Sequence, residues 1–222
     1  MRLPACLLFD LDGTILDSLP GVEYSVRAAF ESCGLTLRTT SLRQLIGPPI
    51  RTILSRVGEV VESNVLDQLE SAFRKSYDTE GWRKTVCFPD VHEILQAMHF
   101  HGHRHFVVSN KPRHISLRIL ENEGMLNLFE EILTSDSRSP AFQGKIEMIG
   151  NLMTRRGLCA ENCLFVGDTM EDAQAAATAG IGFVYMTHGY GEIVETPDLP
   201  IVQRFDSFSN FWPFLIQEPV CD

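Results

Sequence analysis

Residues 7–18 read LLFDLDGTILDS, an apolar run that ends on two carboxylates one residue apart, Asp10 and Asp12. From Cys6 to Leu11 the run is short, does not alternate with polar residues and is broken only by Asp10. Such a run predicts a strand of a parallel sheet, because strands of that kind are covered on both faces. The sequence therefore places two like charges at the end of a buried strand, where their repulsion costs free energy unless a cation offsets it.

The bulk composition bounds the possible functions. The chain has 222 residues, of which 44% are hydrophobic and 22% charged, enough for one large domain or two unequal ones. The formal net charge of -10 disfavours nucleic acid and anionic membranes as partners. The chain has no apolar stretch of about 20 residues, and its N-terminal apolar run meets Asp10 too early for a signal peptide. We therefore expect a cytoplasmic protein that acts on a small molecule, as a monomer or a homodimer.

Further short apolar runs follow along the chain, separated by segments with the periodicity of amphipathic helices. Strands that alternate with helices predict an α/β fold with a doubly wound parallel sheet. One of the helices is predicted to bury Ile146, Ile149 and Met153. The predicted strands after the first cover residues 106–108, 132–133, 163–166 and 183–186, and the helices cover residues 89–101, 112–123, 146–156 and 171–179.

The interval from about residue 17 to residue 87 breaks this alternation, since it contains no convincing strand. Apolar residues at helical spacing predict two longer helices there, with two shorter ones on either side of the turn Gly47-Pro48-Pro49. We therefore expect two domains. Residues 1–16 and 88–222 would form the α/β core, and residues 17–87 an inserted helical cap.

Polar side chains follow the predicted strands at the points where the strands end. Because the carboxyl ends of parallel strands meet at one edge of a sheet, where such folds bind ligands, we expect these groups to lie together. They are Asp10, Asp12, Gly13 and Thr14 after the first strand, Ser109 and Asn110 after the second, Asp168 and Asp172 after the fourth, and Lys145 at the start of a helix.

This set of side chains suits phosphoryl transfer. Crowded carboxylates need a cation among them, and oxygen ligands suit Mg²⁺. One carboxylate can act as a nucleophile that forms an aspartyl phosphate, and a second, two positions along the same strand, lies on the same face and can transfer protons. Hydroxyl, amide and ammonium donors can hold the phosphoryl oxygens. The predicted donors are Ser109, Asn110, Lys145 and the amides of Gly13 and Thr14.

The motifs resemble those of the haloacid-dehalogenase-like superfamily, in particular its phosphoglycolate-phosphatase-like members. Residues 10–18 match the DxDGTxxDS pattern of the first motif, and residues 109–111, Ser-Asn-Lys, match the second. Lys145 is matched to the third motif and residues 167–172, GDTMED, to the fourth. The resemblance spans the chain from Cys6 to about Gly191 and implies a Rossmann-like core with a helical cap.

The resemblance implies a role for each matched residue. Asp10 would be the nucleophile, and Asp12 the general acid and base, which also ligates Mg²⁺ through its backbone carbonyl. Ser109 and Lys145 would hold the phosphoryl group. The implied metal ligands are Asp10, Asp12, Asp168 and Asp172, the last either directly or in the outer coordination sphere.

The expected activity is Mg²⁺-dependent hydrolysis of a small, phosphoglycolate-like phosphate monoester through an aspartyl phosphate on Asp10. A sugar phosphomutase of the same superfamily stays open, because the sequence does not show how long the aspartyl phosphate survives water. A non-turnover phospho-aspartate switch is the alternative from another class, although such receiver domains are about half this length.

Some residues carry two interpretations. Lys111 is a rival to Lys145 for the phosphoryl-binding lysine, and the family pattern favours Lys145. Asp17 and Ser18 would either cap the first cap helix or contact substrate, and Arg51 would either meet an anionic leaving group or lie on the surface. The alternating histidines of HFHGHRHF are interpreted as a solvated turn and not as a metal site. These four histidines are His99, His101, His103 and His105.

Overall fold

The N-terminal apolar run forms the central strand of a six-stranded parallel sheet in the computed structural model, which describes residues 5–39, 41–59, 62–194 and 196–216. The strands are β1 (Cys6–Phe9), β2 (Leu16–Asp17), β3 (Val86–Cys87), β4 (Arg104–Ser109), β5 (Glu131–Thr134), β6 (Cys163–Gly167), β7 (Gly182–Met186) and β8 (Ile201–Phe205). The helices are α1 (Leu19–Ser32), α2 (Ile50–Gly58), α3 (Ser63–Thr79), α4 (Val91–Phe100), α5 (Arg113–Asn122), α6 (Lys145–Arg156), α7 (Met170–Ala179) and α8 (Phe208–Ile216).

The strand order β5-β4-β1-β6-β7-β8 is that of a doubly wound sheet. The chain proceeds from β1 outward to β5, then returns to place β6 on the other side of β1. The gap between the ends of β1 and β6 is therefore the switch point, where a sheet of this kind opens a crevice for a ligand. The predicted fold class is confirmed.

Both faces of β1 are buried, as its unbroken apolar sequence predicts. Leu7 and Phe9 pack on one face with residues of α4, α5 and α8. Cys6 and Leu8 pack on the other face with residues of α6 and α7. The alternation of side chains along a strand produces this division, and it fixes the direction in which the chain leaves the sheet after Phe9.

Helices α1, α2 and α3 lie between the first strand and α4, and the described residues of this segment add no strand to the main sheet. β2 and β3 form a short antiparallel pair where the chain enters and leaves the segment. Val26 and Leu69 from this segment belong to the same buried cluster as Val107 of the sheet. The division into core and cap domains stays a prediction.

Several local expectations were wrong. Ile146 is 51% exposed, and α6 instead buries Met148, Ile149 and Leu152. The histidine run is not a solvated turn throughout, because His103 and His105 are buried at the start of β4. The sequence analysis predicts no strand or helix after residue 186, whereas β8 and α8 both follow that residue in the structure.

None of the described helices combines the length and the apolar composition that crossing a membrane requires.

Candidate active site

Three carboxylates meet at the switch point of the sheet. Asp10 follows β1, Asp168 follows β6, and Asp172 lies in the first turn of α7. One oxygen from each lies within 4.8 Å of the others, and all three residues are buried. No other set of His, Cys, Asp and Glu in the described part of the chain forms such a group. The parallel strands thus bring together residues that are about 160 positions apart, as expected.

Burial of these carboxylates perturbs their ionisation. Burial raises the pKa of Asp10 to about 8, with the neighbouring Lys145 acting against it and the other carboxylates adding to it. Burial likewise raises the pKa of Asp168 to about 7, and Asp172 adds to the increase. Negative charge at this position therefore needs compensation by a cation. An all-oxygen group of this kind fits Mg²⁺.

Lys145 provides part of that compensation. It opens α6 directly after Gly144, and its side chain is 3% exposed. Its Nζ lies 2.9 Å from Asp10 Oδ1 and 2.6 Å from Asp172 Oδ1. Burial alone would lower the pKa of Lys145, but the two carboxylates outweigh it and hold that pKa above its usual range. Lys145 therefore stays a cation in contact with the predicted nucleophile.

Lys111 has a different position and different partners. Its Nζ donates to Asp12 Oδ1 at 2.9 Å and to the hydroxyl of Tyr77 at 2.8 Å. The Tyr77 hydroxyl also lies 3.2 Å from Thr85 Oγ1, in the segment that returns from the helical insert. The predicted general acid and base is thus held by a buried lysine that the insert holds in turn.

Both oxygens of Asp172 have protein partners. Oδ1 contacts Lys145, while Oδ2 accepts hydrogen bonds from the backbone and the hydroxyl of Thr169 at 3.0 and 2.6 Å. The Asp172 amide returns a bond to Thr169 Oγ1, which completes a capping box at the start of α7. Asp172 therefore fixes the end of the helix as well as facing the carboxylate group.

Asp168 is held by the loops around it. Its Oδ2 accepts from the amides of Tyr190 and Gly191 at 2.7 and 3.3 Å, and its Oδ1 accepts from Thr14 Oγ1 at 3.2 Å. Gly13 has φ +86°, and a Cβ there would overlap with the Asp168 side chain. The first motif thus needs glycine at this position for space as well as for backbone conformation.

The amides of Gly13 and Thr14 differ from the expectation that they hold phosphoryl oxygens. The Gly13 amide donates to Leu16 O at 2.9 Å and the Thr14 amide to Leu11 O at 3.2 Å. Neither residue lines the cavity beside the carboxylates. Both amides are therefore already bound to carbonyl groups of the same turn, and the hydroxyl of Thr14 donates to Asp168.

Asp17 and Ser18 lie at the start of the helical insert and not in the cavity. The Tyr190 hydroxyl donates to Asp17 Oδ1 at 2.7 Å and accepts from the amides of Ser18 and Leu19 at 2.8 and 3.0 Å. Ser18 is the residue before α1, although its side chain forms no capping bond. These contacts favour a structural role at the linker for Asp17 and Ser18.

A cavity of about 820 Å³ extends from Asp10 to the helical insert. Ser109, 2% exposed, lies on its wall, and its Oγ accepts from the Lys111 amide at 3.3 Å. Asn110 also lines it, but its Nδ2 donates to both carboxylate oxygens of Glu171 at 3.0 and 3.1 Å. Asp12, Lys111 and Lys145 complete the core side of the wall.

The sequence analysis missed Tyr77 and Glu171 as contacts of the site. Tyr77 continues the buried face of α3 one turn beyond Phe73, so the helical periodicity carried that signal. Glu171 lies inside the GDTMED motif, where only the aspartates were considered. Tyr190 lies in the segment His188-Gly189-Tyr190-Gly191 after the last predicted strand, which the sequence leaves open as either a plain turn or the rim of the site; the contact of Tyr190 with Asp168 favours the rim.

Comparison with known proteins gives the following matches. The family model described as haloacid dehalogenase-like hydrolase matches residues 7–186. A phosphoglycolate phosphatase of Rhodobacter capsulatus is 30% identical over 210 residues, covering 91% of this chain and 93% of that protein. A 5′-nucleotidase of Pseudomonas aeruginosa is 28% identical over 186 residues, or 83% of each chain. A solved structure from Haemophilus somnus, named a predicted phosphoglycolate phosphatase, has a TM-score of 0.83 at 26% identity and covers 96% of this chain and 99% of that one.

Proposed function

Because this chain belongs to the haloacid dehalogenase-like hydrolase family, we propose that it is a Mg²⁺-dependent phosphatase that hydrolyses a small organic phosphate monoester through an aspartyl phosphate on Asp10. The observation that carries the proposal is the contact of Asp10 with Lys145 inside a buried group of three carboxylates. Three buried carboxylates repel one another, and a bound cation would offset that repulsion. The cation and Lys145 would together stabilise a phosphoryl group beside Asp10.

In the first half-reaction, an Asp10 carboxylate oxygen attacks phosphorus and the bond from phosphorus to the ester oxygen breaks. Asp12 gives a proton to that leaving oxygen, so an alcohol departs and the phosphoryl group stays on Asp10. Lys111 holds the Asp12 carboxylate in place through its 2.9 Å contact. Lys145 and Ser109 stabilise the phosphoryl oxygens while the bond order at phosphorus changes.

In the second half-reaction, Asp12 accepts a proton from a water molecule that attacks the aspartyl phosphate. The acyl phosphate bond breaks, inorganic phosphate leaves, and the Asp10 carboxylate is regenerated. Donation and return of the proton by one carboxylate leave the protein unchanged after each turnover.

Asp10 and Asp168, together with the backbone carbonyl of Asp12, would hold the metal. Mg²⁺ would supply positive charge that draws the substrate phosphate to Asp10 and offsets charge in the transition state. Asp172 would either ligate the metal directly or lie in the outer coordination sphere, in contact with Lys145 at 2.6 Å. In either position it would orient Lys145.

The names of the relatives suggest the first substrates to try. Phosphoglycolate follows from the phosphoglycolate phosphatases, and a nucleoside 5′-monophosphate follows from the 5′-nucleotidase. The helical insert is proposed to act as the cap that selects between leaving groups, since α1, α2 and α3 all contribute to the cavity wall.

Release of inorganic phosphate from excess ester tests the proposal. We expect many turnovers per protein molecule with Mg²⁺, none after chelation, and recovery when Mg²⁺ is returned. Asp10→Asn should lower kcat by at least about 1,000-fold, while Asp198→Asn, an exposed residue outside the cavity, serves as the matched control. Retained activity in Asp10→Asn contradicts the proposal, and one equivalent of phosphate without turnover would indicate a phospho-aspartate switch.

A further inference from the structure

The wall of the cavity opposite Asp10 is largely apolar. Val22 of α1, Ile50 and Ile53 of α2, Phe73 of α3 and Ile115 of α5 all line it. At about 820 Å³ the cavity has the size of a site for a drug-sized ligand. Glycolate has five heavy atoms and would fill only a small part of a cavity of this size.

Two arginines on this wall are already neutralised. Arg51 Nη1 lies 2.6 Å from Asp67 Oδ1 and 3.3 Å from Glu70 Oε2. Arg74 Nη2 lies 2.7 Å from Glu70 Oε1. Glu70 therefore binds both guanidinium groups, one through each oxygen, and its side chain is 23% exposed. A substrate carboxylate at this wall would compete with Glu70 for both arginines.

Other donors near the wall are also limited. Pro48 and Pro49, the two residues before α2, carry no N–H. Lys111 is bound to Asp12. The helical insert contributes two arginines, Arg51 and Arg74, and two carboxylates, Glu70 and Asp78, so its part of the wall has no excess of positive charge. A negative charge on the leaving group would meet a wall that does not compensate it.

We propose that the leaving group of the substrate is an uncharged, ring-bearing alcohol, such as a nucleoside, and that Glu70 sets this preference by pairing with both Arg51 and Arg74. The ring would lie against the apolar surface formed by Ile50, Ile53 and Phe73. This inference rests on the proposed phosphatase function, and it names the class of ester that the site hydrolyses best.

Two ester comparisons on the wild-type protein test charge and ring separately. Phosphoglycolate and its uncharged amide, phosphoglycolamide, differ in charge alone, and we expect a higher kcat/KM for the amide. Uridine 5′-monophosphate and 2-hydroxyethyl phosphate are both uncharged beyond the phosphate and are esters of primary alcohols. Here we expect the ring-bearing ester to have a kcat/KM at least about tenfold higher, because the ring can bury apolar surface against the wall of the cavity.

The variant Glu70→Gln tests the assigned determinant. Removal of its charge frees positive charge on Arg51 and Arg74, so the ratio of kcat/KM for phosphoglycolate to that for phosphoglycolamide should rise roughly three- to tenfold, as expected for one unit charge in a solvated site. Glu59→Gln is the control, because Glu59 pairs with Arg38 outside the cavity. It should leave the ratio unchanged.

The outcomes separate the two proposals. Absence of Mg²⁺-dependent hydrolysis of every ester refutes the phosphatase function itself. Hydrolysis with phosphoglycolate preferred over phosphoglycolamide, or without a preference for the ring-bearing ester, refutes the inference and leaves the phosphatase function standing. An unchanged ratio in Glu70→Gln removes Glu70 as the determinant. If that variant does not fold, the wild-type comparisons still decide the class of leaving group.

Discussion

Substitution of His105 by Phe should remove a large part of the acid sensitivity of this fold. His105 lies in β4 and is fully buried beside the rings of Phe9 and Phe129, at centroid distances of 5.6 and 6.2 Å. Its Nδ1 lies 3.2 Å from Leu128 O, which can only accept, so Nδ1 carries the proton of the neutral ring. Nε2 has no hydrogen-bond partner among the described residues. A second proton would therefore place an uncompensated charge in the core.

The size and sign of the effect follow from the pKa. Burial lowers the pKa of His105 from 6.5 to about 4, with the neighbouring His99 and His103 adding to the decrease. Above pH 6.5 the ring is neutral in both the folded and the unfolded chain. Between pH 6.5 and about 4 the unfolded chain binds a proton that the folded chain does not, so the free energy of unfolding falls. Over that window the loss amounts to about 3 kcal/mol.

Urea unfolding followed by circular dichroism at about pH 7.5 and about pH 4.5 measures this loss. The wild type should lose about 2.5 kcal/mol more between the two conditions than His105→Phe, because about pH 4.5 lies just above the end of that window. His101→Phe changes an exposed histidine of the same run and should keep the wild-type dependence. Buried carboxylates titrate equally in all three proteins and cancel in the comparison. An equal loss in the wild type and in His105→Phe would refute the reasoning.

Two further substitutions test the supports of the site. Tyr77→Phe removes the hydroxyl that accepts from Lys111 at 2.8 Å; we expect a loss of about 1–3 kcal/mol in the free energy of unfolding and a kcat about tenfold lower. Unaltered steady-state kinetics in that variant would contradict a role in placing the general acid. In Gly189→Ala the new Cβ would overlap with the Asp168 side chain, so the Mg²⁺ concentration for half-maximal activity should rise about tenfold or more. Gly150→Ala, where nothing lies within 4 Å, is the control, and an equal Mg²⁺ requirement in both variants would disprove the effect.

The central part of the fold and the carboxylate group were predictable because their signals are local. β1, β6 and the Phe106-Val107-Val108 part of β4 are short and buried on both faces, so their sequences are continuous apolar runs. Asp10 and Asp168 follow such runs directly, and the rule that ligand sites lie at the carboxyl ends of strands then brings them together. The prediction of the carboxylate group needed only the positions of these residues relative to the ends of the apolar runs.

Other features depend on contacts that the local sequence does not show. β8 is an edge strand whose residues are half-buried or exposed, so Ile201–Phe205 lacks the apolar run of a central strand. His105 is polar in sequence but is buried because β4 starts at Arg104, two residues before the predicted start of the strand. The pairing of Lys111 with Tyr77 requires the helical insert to pack on the sheet, and a pattern within either segment does not specify that packing.

The pairing of β1 sets an order of events during synthesis. Cys6 is hydrogen-bonded in register with Cys163, about 160 residues later, and the helical insert separates it from its other partner, Arg104. At roughly 5–20 residues per second, the ribosome needs about 10–30 s between making Asp10 and making the strand that completes its surroundings. The side chain of the predicted nucleophile therefore stays in contact with water until β6 joins the sheet. The acidic side chains of the site come close enough to repel one another only in the last stage of folding.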